Sequence, residues 1–182
     1  MSKRIILVPG TFANSYAPDM WWYLGSPFCQ GLEDLGYMPL SFAWRTSLDG
    51  VAGKNNAWIH AGKRLAKQLV PGDRVIAHSH GGQVVAYALE DVRDIAAVFT
   101  LATPVRDDVP YKNITLATQS WTHVYGDHRD WWQLLGSLLD GAVHWNRREM
   151  PGANKNIQIA GNHTDTHEVT VWDKYELWSM LG

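Results

Sequence analysis

Short apolar runs alternate along the chain with stretches whose apolar residues recur at helical spacing. RIILVPG (4–10) is apolar on both faces and ends in Pro-Gly, which predicts a buried strand. WWYLGSPFCQGLEDLG (21–36) carries a helical pattern that Gly36 can end. YMPLSFAW (37–44) reads as a second strand, and NNAWIHAGKRLAKQLV (55–70) as a helix stopped by Pro71-Gly72. DRVIAHS (73–79) is a third strand, followed by the helical pattern GGQVVAYALEDV (81–92). IAAVFTLATP (95–104), SWTHVYGD (120–127) and NIQIAGNH (156–163) are further strands, and EVTVWDKYELWSML (168–181) ends the chain with a helical pattern. Strands apolar on both faces, alternating with helices, predict an α/β three-layer sandwich: a mostly parallel sheet of about six strands with helices on both faces. Right-handed crossovers bring the strand C-termini to one edge, outside which ligands bind in open sheets of this kind.

A length of 182 residues suits one domain, 1–182, with a sizeable core, and no repeat or linker divides it. The chain is 46% hydrophobic and 19% charged, the balance of a globular protein rather than a disordered one. A formal net charge of −2 without a basic cluster argues against nucleic-acid binding. Cys29 is the only cysteine, so no intramolecular disulfide can form, and a reducing, cytoplasmic location is expected. The apolar run in MSKRIILVPG is too short for a signal-peptide core, and no run reaches the length of a membrane span. Four of the ten tryptophans fall in MWWYLG and DWWQLLG, the two dense spots.

The candidate chemistry lies in VIAHSHGGQVV, where a strand turns straight into a helix at Ser79. Such a corner strains the serine and exposes its hydroxyl at the sheet edge. The residues two before and two after it, Ala77 and Gly81, are both small, as expected if they approach each other. This is the nucleophile-elbow pattern G-x-S-x-G with alanine in the first place. The His80 amide, at the start of the following helix, is set to meet a developing oxyanion.

With AHSHGG, the opening ILVPGTFANS, and LATPVR, the chain resembles the α/β-hydrolase family, in particular its small lipase- and esterase-like members. The resemblance implies a minimal six-stranded form of that fold, starting at the third of the usual eight strands, without a large helical lid. It implies that the loop after the first strand gives a second oxyanion amide, here Thr11, although proline stands where histidine is usual. The family order is serine, acid, histidine. The acid falls in THVYGDHRDWW, with Asp130 favoured, since it precedes a hydrophobic pair, and Asp127 the alternative. The base falls in NHTDTHE, with His163 favoured by its spacing from Gly161 and His167 the alternative. Phe12, Trp21, Trp22, Trp131 and Trp132 are pocket candidates, and each could equally be core.

The expected reaction is hydrolysis of a small-molecule carboxylic ester through an acyl-enzyme on Ser79, with no metal or organic cofactor. A rival is a metal-dependent hydrolase, because HTDTH puts His163, Asp165 and His167 on one face if extended, and His78 and His80 form a second His-x-His pair. Another is a binding module that keeps the fold without turnover. Composition names neither the substrate nor the oligomeric state.

Overall fold

A computed structural model describes residues 3–11, 20–44, 56–127 and 148–182. The six expected strands form: β1 (Lys3–Val8), β2 (Tyr37–Ser41), β3 (Arg74–His78), β4 (Ala97–Leu101), β5 (Trp121–Tyr125) and β6 (Lys155–Gln158). They make one wholly parallel sheet in the order β2-β1-β3-β4-β5-β6. The period of two along each strand divides its side chains between two apolar layers. From β1, Ile6 and Val8 pack in one layer with Val75, Ala77 and Val98, while Ile5 and Leu7 pack in the other with Ile76, Phe99 and Val124. Pro39, which has no N–H to donate, lies in the edge strand β2, where a ladder bond is dispensable.

Helices cover both layers. On the first lie α2 (Asn56–Ala66), α3 (Gly81–Ala88) and α4 (Lys112–Ala117). On the second lie α1 (Pro27–Asp34), α5 (Val169–Lys174) and a closing 3-10 segment, Leu177–Leu181. In α2 the buried residues Trp58, Ala61, Gly62 and Leu65 follow the i, i+3, i+4, i+7 spacing of an inward stripe. α3 is buried nearly all round, because the sheet lies beneath it and α2 packs along its side. Among the described residues, no helix is long and apolar enough to cross a membrane.

All four expected helices are shorter than their patterns, the first and the last most of all. The first begins at Pro27, not Trp21: Gly25 sits at φ 98, and Ser26 caps the helix by accepting from the Cys29 amide at 3.2 Å. Residues 20–26 turn instead, with the Tyr23 amide on the Met20 carbonyl and the Ser26 amide on the Tyr23 carbonyl, both at 2.9 Å. The last helix breaks after α5 because Glu176 takes a left-handed conformation (φ 53), and Leu177 and Leu181 then pack in the same layer as Trp172. The connection between β4 and β5, read from sequence only as too short for a lid, contains α4.

The chain runs one way from β1 to β2 and the other way from β1 to β3, so the order reverses beside β1. At this switch point the C-terminal ends of β1 and β3 touch. A Cβ at residue 10 would stand 2.7 Å from the Ser79 Cβ, and one at residue 81 would stand 2.3 Å from the Val8 carbonyl oxygen. Gly81 is therefore small because of β1's backbone, a different neighbour from the Ala77 expected from the sequence. Gly81→Ala should cost about 1–3 kcal/mol, or roughly 2–12 °C in Tm for a chain of this size. Gly36→Asn should be milder, since no atom crowds that site and asparagine tolerates its φ of 80. Thermal unfolding of both variants checks this; a Gly81→Ala protein as stable as wild type would contradict the close approach.

Candidate functional site at the strand C-termini

Ser79 follows directly on β3 and carries φ 53, left-handed backbone that a non-glycine residue adopts at a cost of about 1–3 kcal/mol. The corner is held from several directions. Its amide donates to the Leu101 carbonyl at 2.8 Å, extending the pairing of β3 with β4. Its carbonyl accepts from the Gly82 amide at 3.0 Å and from Thr103 Oγ1 at 3.1 Å. Gly82 leaves room for Thr103, because a Cβ there would come within 2.3 Å of that hydroxyl. Fully buried Gln83 donates to the Pro104 carbonyl at 3.1 Å and contacts the Tyr111 hydroxyl at 3.0 Å, tying the loop after β4 to α3. Ser79 itself remains only partly buried, at the edge where the strands end.

The loop after β1 lies against this corner. The Pro9 carbonyl accepts from buried Trp44 Nε1 at 2.7 Å, and Gly10 lets the backbone approach Ser79. Thr11 follows, and its hydroxyl is hydrogen-bonded to His80 Nδ1. The two residues expected to offer oxyanion amides are therefore linked through their side chains. The His80 ring rests on Trp58, with centroids 5.3 Å apart. Arg106 lies over Trp58 at 5.1 Å while pairing with Asp108 through Nε at 2.8 Å and a terminal nitrogen at 2.7 Å.

The loop after β6 lies on the other side. Asn162 Oδ1 accepts from the Thr164 amide at 2.9 Å and the Thr164 hydroxyl at 2.8 Å, while Asp165 Oδ2 accepts from the Asn162 amide at 2.8 Å. This tight turn presents His163 inward, and both His163 and His167 lie against His78, with ring centroids 4.8 and 4.9 Å from it. His167 also stacks on Trp21 at 5.5 Å. The extended HTDTH face needed by the metal reading is absent: Asp165–His167 is a 3-10 turn, and Asp165 is turned back onto Asn162. Among the described residues, no group of three or more His, Cys, Asp or Glu side chains could hold a metal ion.

The loop after β5 meets the loop after β6 through backbone. The Asp127 amide donates to the Gly161 carbonyl at 3.0 Å, and the Asp127 carbonyl accepts from Arg148 at 2.6 Å. A Cβ on Gly126 would stand 2.5 Å from the Gly161 oxygen. Asp127 therefore sits beside the segment that carries His163. Trp21 belongs to the core, being 5% exposed, and stacks on His167. Trp22 meets Trp21 edge-on at 5.9 Å. Phe12, Asp130, Trp131 and Trp132 lie outside the described residues. The sequence offered His78 as half of a His-x-His pair and did not show what it bonds. Its only structural signal was the last position of β3, and the residue it meets, His163, lies 85 residues further along the chain.

No protein-family model matches the chain. A sequence comparison with curated proteins finds no match. Solved structures do resemble it. The ydeN gene product from B. subtilis superposes with a TM-score of 0.61 at 10% identity, covering 98% of this chain and 97% of that one. An extracellular alpha/beta-hydrolase from a Paenibacillus species gives 0.59 at 10% identity, covering 99% of both chains. The Pyrococcus furiosus esterase Pf2001 gives 0.56 at 16% identity, covering 99% of this chain and 80% of that one.

Several buried histidines are held neutral. Burial pushes His123 from its ordinary 6.5 down to about 4, and burial together with neighbouring His163 pushes His167 to about 4. His78 is driven well below 6.5 by burial, with His163 and His167 adding to the effect. These depressed values mean that the unfolded chain binds more protons than the folded one below pH 6.5. Stability should therefore be complete above about pH 6.5 and fall as pH drops towards 4, by about 1.4 kcal/mol per pH unit for each such histidine. Urea unfolding at intervals between pH 7 and 4 measures the slope; a flat profile would contradict the buried neutral rings.

Proposed function

From the α/β-hydrolase fold that this chain adopts, we propose a serine hydrolase that cleaves a carboxylic ester of a small molecule. The observation that carries this reading is Ser79 itself. It is a strained, partly exposed serine at the strand-to-helix corner of the switch point, with a second loop packed against its Cβ. Solved structures of this fold known as esterases and hydrolases support it.

In this mechanism Ser79 Oγ attacks the ester carbonyl while His163 takes its proton. The carbonyl π electrons move to oxygen, and the amides of Thr11 and His80 hold the resulting oxyanion. The oxyanion collapses, the alcohol leaves with the proton from His163, and water repeats the sequence on the acyl-enzyme. Asp130 orients the imidazole, with Asp127 as the alternative. His163 is preferred to His167 because the latter, held near 4 and stacked on Trp21, has little affinity for a proton at neutral pH. The Thr11–His80 hydrogen bond serves the oxyanion hole by fixing one amide donor relative to the other before substrate arrives.

Wild-type protein should hydrolyse p-nitrophenyl esters and take up a phosphonate probe at Ser79. Ser79→Ala should keep its fold and lose roughly 10⁶-fold in kcat. A folded Ser79→Ala protein with wild-type turnover would falsify the nucleophile assignment.

His163→Ala should fall nearly to the Ser79→Ala level, because triad losses are not additive, while His167→Ala retains most turnover. Asp130→Asn should lower kcat about 10⁴-fold, with Asp127→Asn much milder. Steady-state kinetics of the four variants decides each assignment, and a dead His167→Ala enzyme would transfer the base to that residue.

A further inference from the structure

We infer that His78 is a positioning residue: its buried imidazole anchors the loop that carries His163 to the Ser79 elbow. The inference rests on the serine-hydrolase reading above and adds a second histidine to it, one that need not touch substrate. The need for an anchor follows from the sheet. β6 pairs with β5 and lies three strand positions from β3, about 14 Å at the usual strand spacing. No ladder hydrogen bond runs directly between the nucleophile's strand and the base's strand. The loop after β6 must therefore reach back across the ends of β5 and β4, and its position at the elbow has to be fixed there.

His78 is placed to do this. It is the last residue of β3 and directly precedes Ser79, so its backbone is as rigid as the elbow. Its Nε2 lies 3.1 Å from the His163 carbonyl oxygen. A carbonyl can only accept, so the ring proton resides on Nε2 and the neutral ring donates. The same oxygen accepts from Thr166 Oγ1 at 3.0 Å, within its own loop. One oxygen of the base residue is thus held by one donor from the elbow and one from the loop. The Thr166 carbonyl accepts in turn from Trp172 Nε1 at 2.9 Å, which ties the loop to α5. Around the ring, Trp21, His163 and His167 pack at 6.3, 4.8 and 4.9 Å between centroids, which restricts its rotation. Burial keeps the ring neutral, so it carries one N–H, which the carbonyl facing Nε2 fixes on that nitrogen.

The test compares His78→Phe, which keeps a ring but loses the donor, with His78→Gln, whose amide nitrogen lies the same number of bonds from Cβ as Nε2. The readouts are kcat and KM on a p-nitrophenyl ester and the rate of phosphonate labelling at Ser79. His78→Phe should lose about 10- to 100-fold in kcat and in labelling rate, with KM nearly unchanged, as expected for a displaced base. His78→Gln should recover most of the loss. A His78→Phe enzyme with wild-type kcat, or a folded His78→Gln enzyme as impaired as His78→Phe, overturns the inference. A measurement on the wild type covers the case in which His78→Phe does not fold: the ¹H–¹⁵N spectrum should show His78 protonated on Nε2 alone at neutral pH. A ring protonated on Nδ1 alone overturns the inference as well. The two levels separate cleanly. Wild-type protein that is not labelled at Ser79 overturns the serine-hydrolase reading and this inference together, whereas labelled wild type with an unimpaired His78→Phe variant overturns this inference alone.

Discussion

Two backbones meet where β1 and β3 end, closer than a side chain between them would allow. A side chain at Gly10 would strike the Ser79 Cβ, and one at Gly81 would strike the Val8 carbonyl. The approach is possible because the strand order reverses beside β1, so nothing lies between the two strand ends. The strained φ of Ser79 is tolerated because the surrounding bonds leave the corner no alternative: Leu101 holds its amide, and Gly82 and Thr103 hold its carbonyl. Remove the close approach, and the loop after β1 loses its seat on the elbow.

The histidines on either side of Ser79 face different loops. His80 bonds to Thr11 on the loop after β1, and His78 to the carbonyl of His163 on the loop after β6. A strand that continued straight would send residues 78 and 80 to the same face, as a His-x-His pair does in a metal site. The left-handed turn at Ser79 separates them instead. The same backbone strain at the serine therefore also distributes its neighbours between the loop after β1 and the loop after β6.

Polar side chains hold the loops after β5 and β6. Asn162, Asp165 and Thr166 close the turn around His163 with bonds to their own backbone, and Arg148 holds the carbonyls of Gly126 and Asp127. Such bonds are directional and fix the backbone of each loop, which is what a site built from several loops requires.

Continuous apolar runs alternating with helical patterns were enough to find all six strands and to expect helices on both faces, whereas the layer that Ile5 or Ile6 joins is shown by the structure. The elbow was legible too, because its signal is local: an apolar run, a serine, two glycines and a helical pattern within 16 residues. The start of α1 was misread because the apolar spacing of Trp21 and Trp22 outweighed Gly25, Ser26 and Pro27, although those three residues are the true boundary. The break at Glu176 was hidden because helical spacing continues through it, and the turn is set by how Leu177 and Leu181 fit the layer below. The neighbours of Gly81, the separation of His78 from His80, and the bond from His78 to His163 belong to the tertiary structure alone. Each joins segments far apart in sequence. Local propensity carries no information about which distant backbone will arrive beside a given side chain, and only the order of the strands determines that.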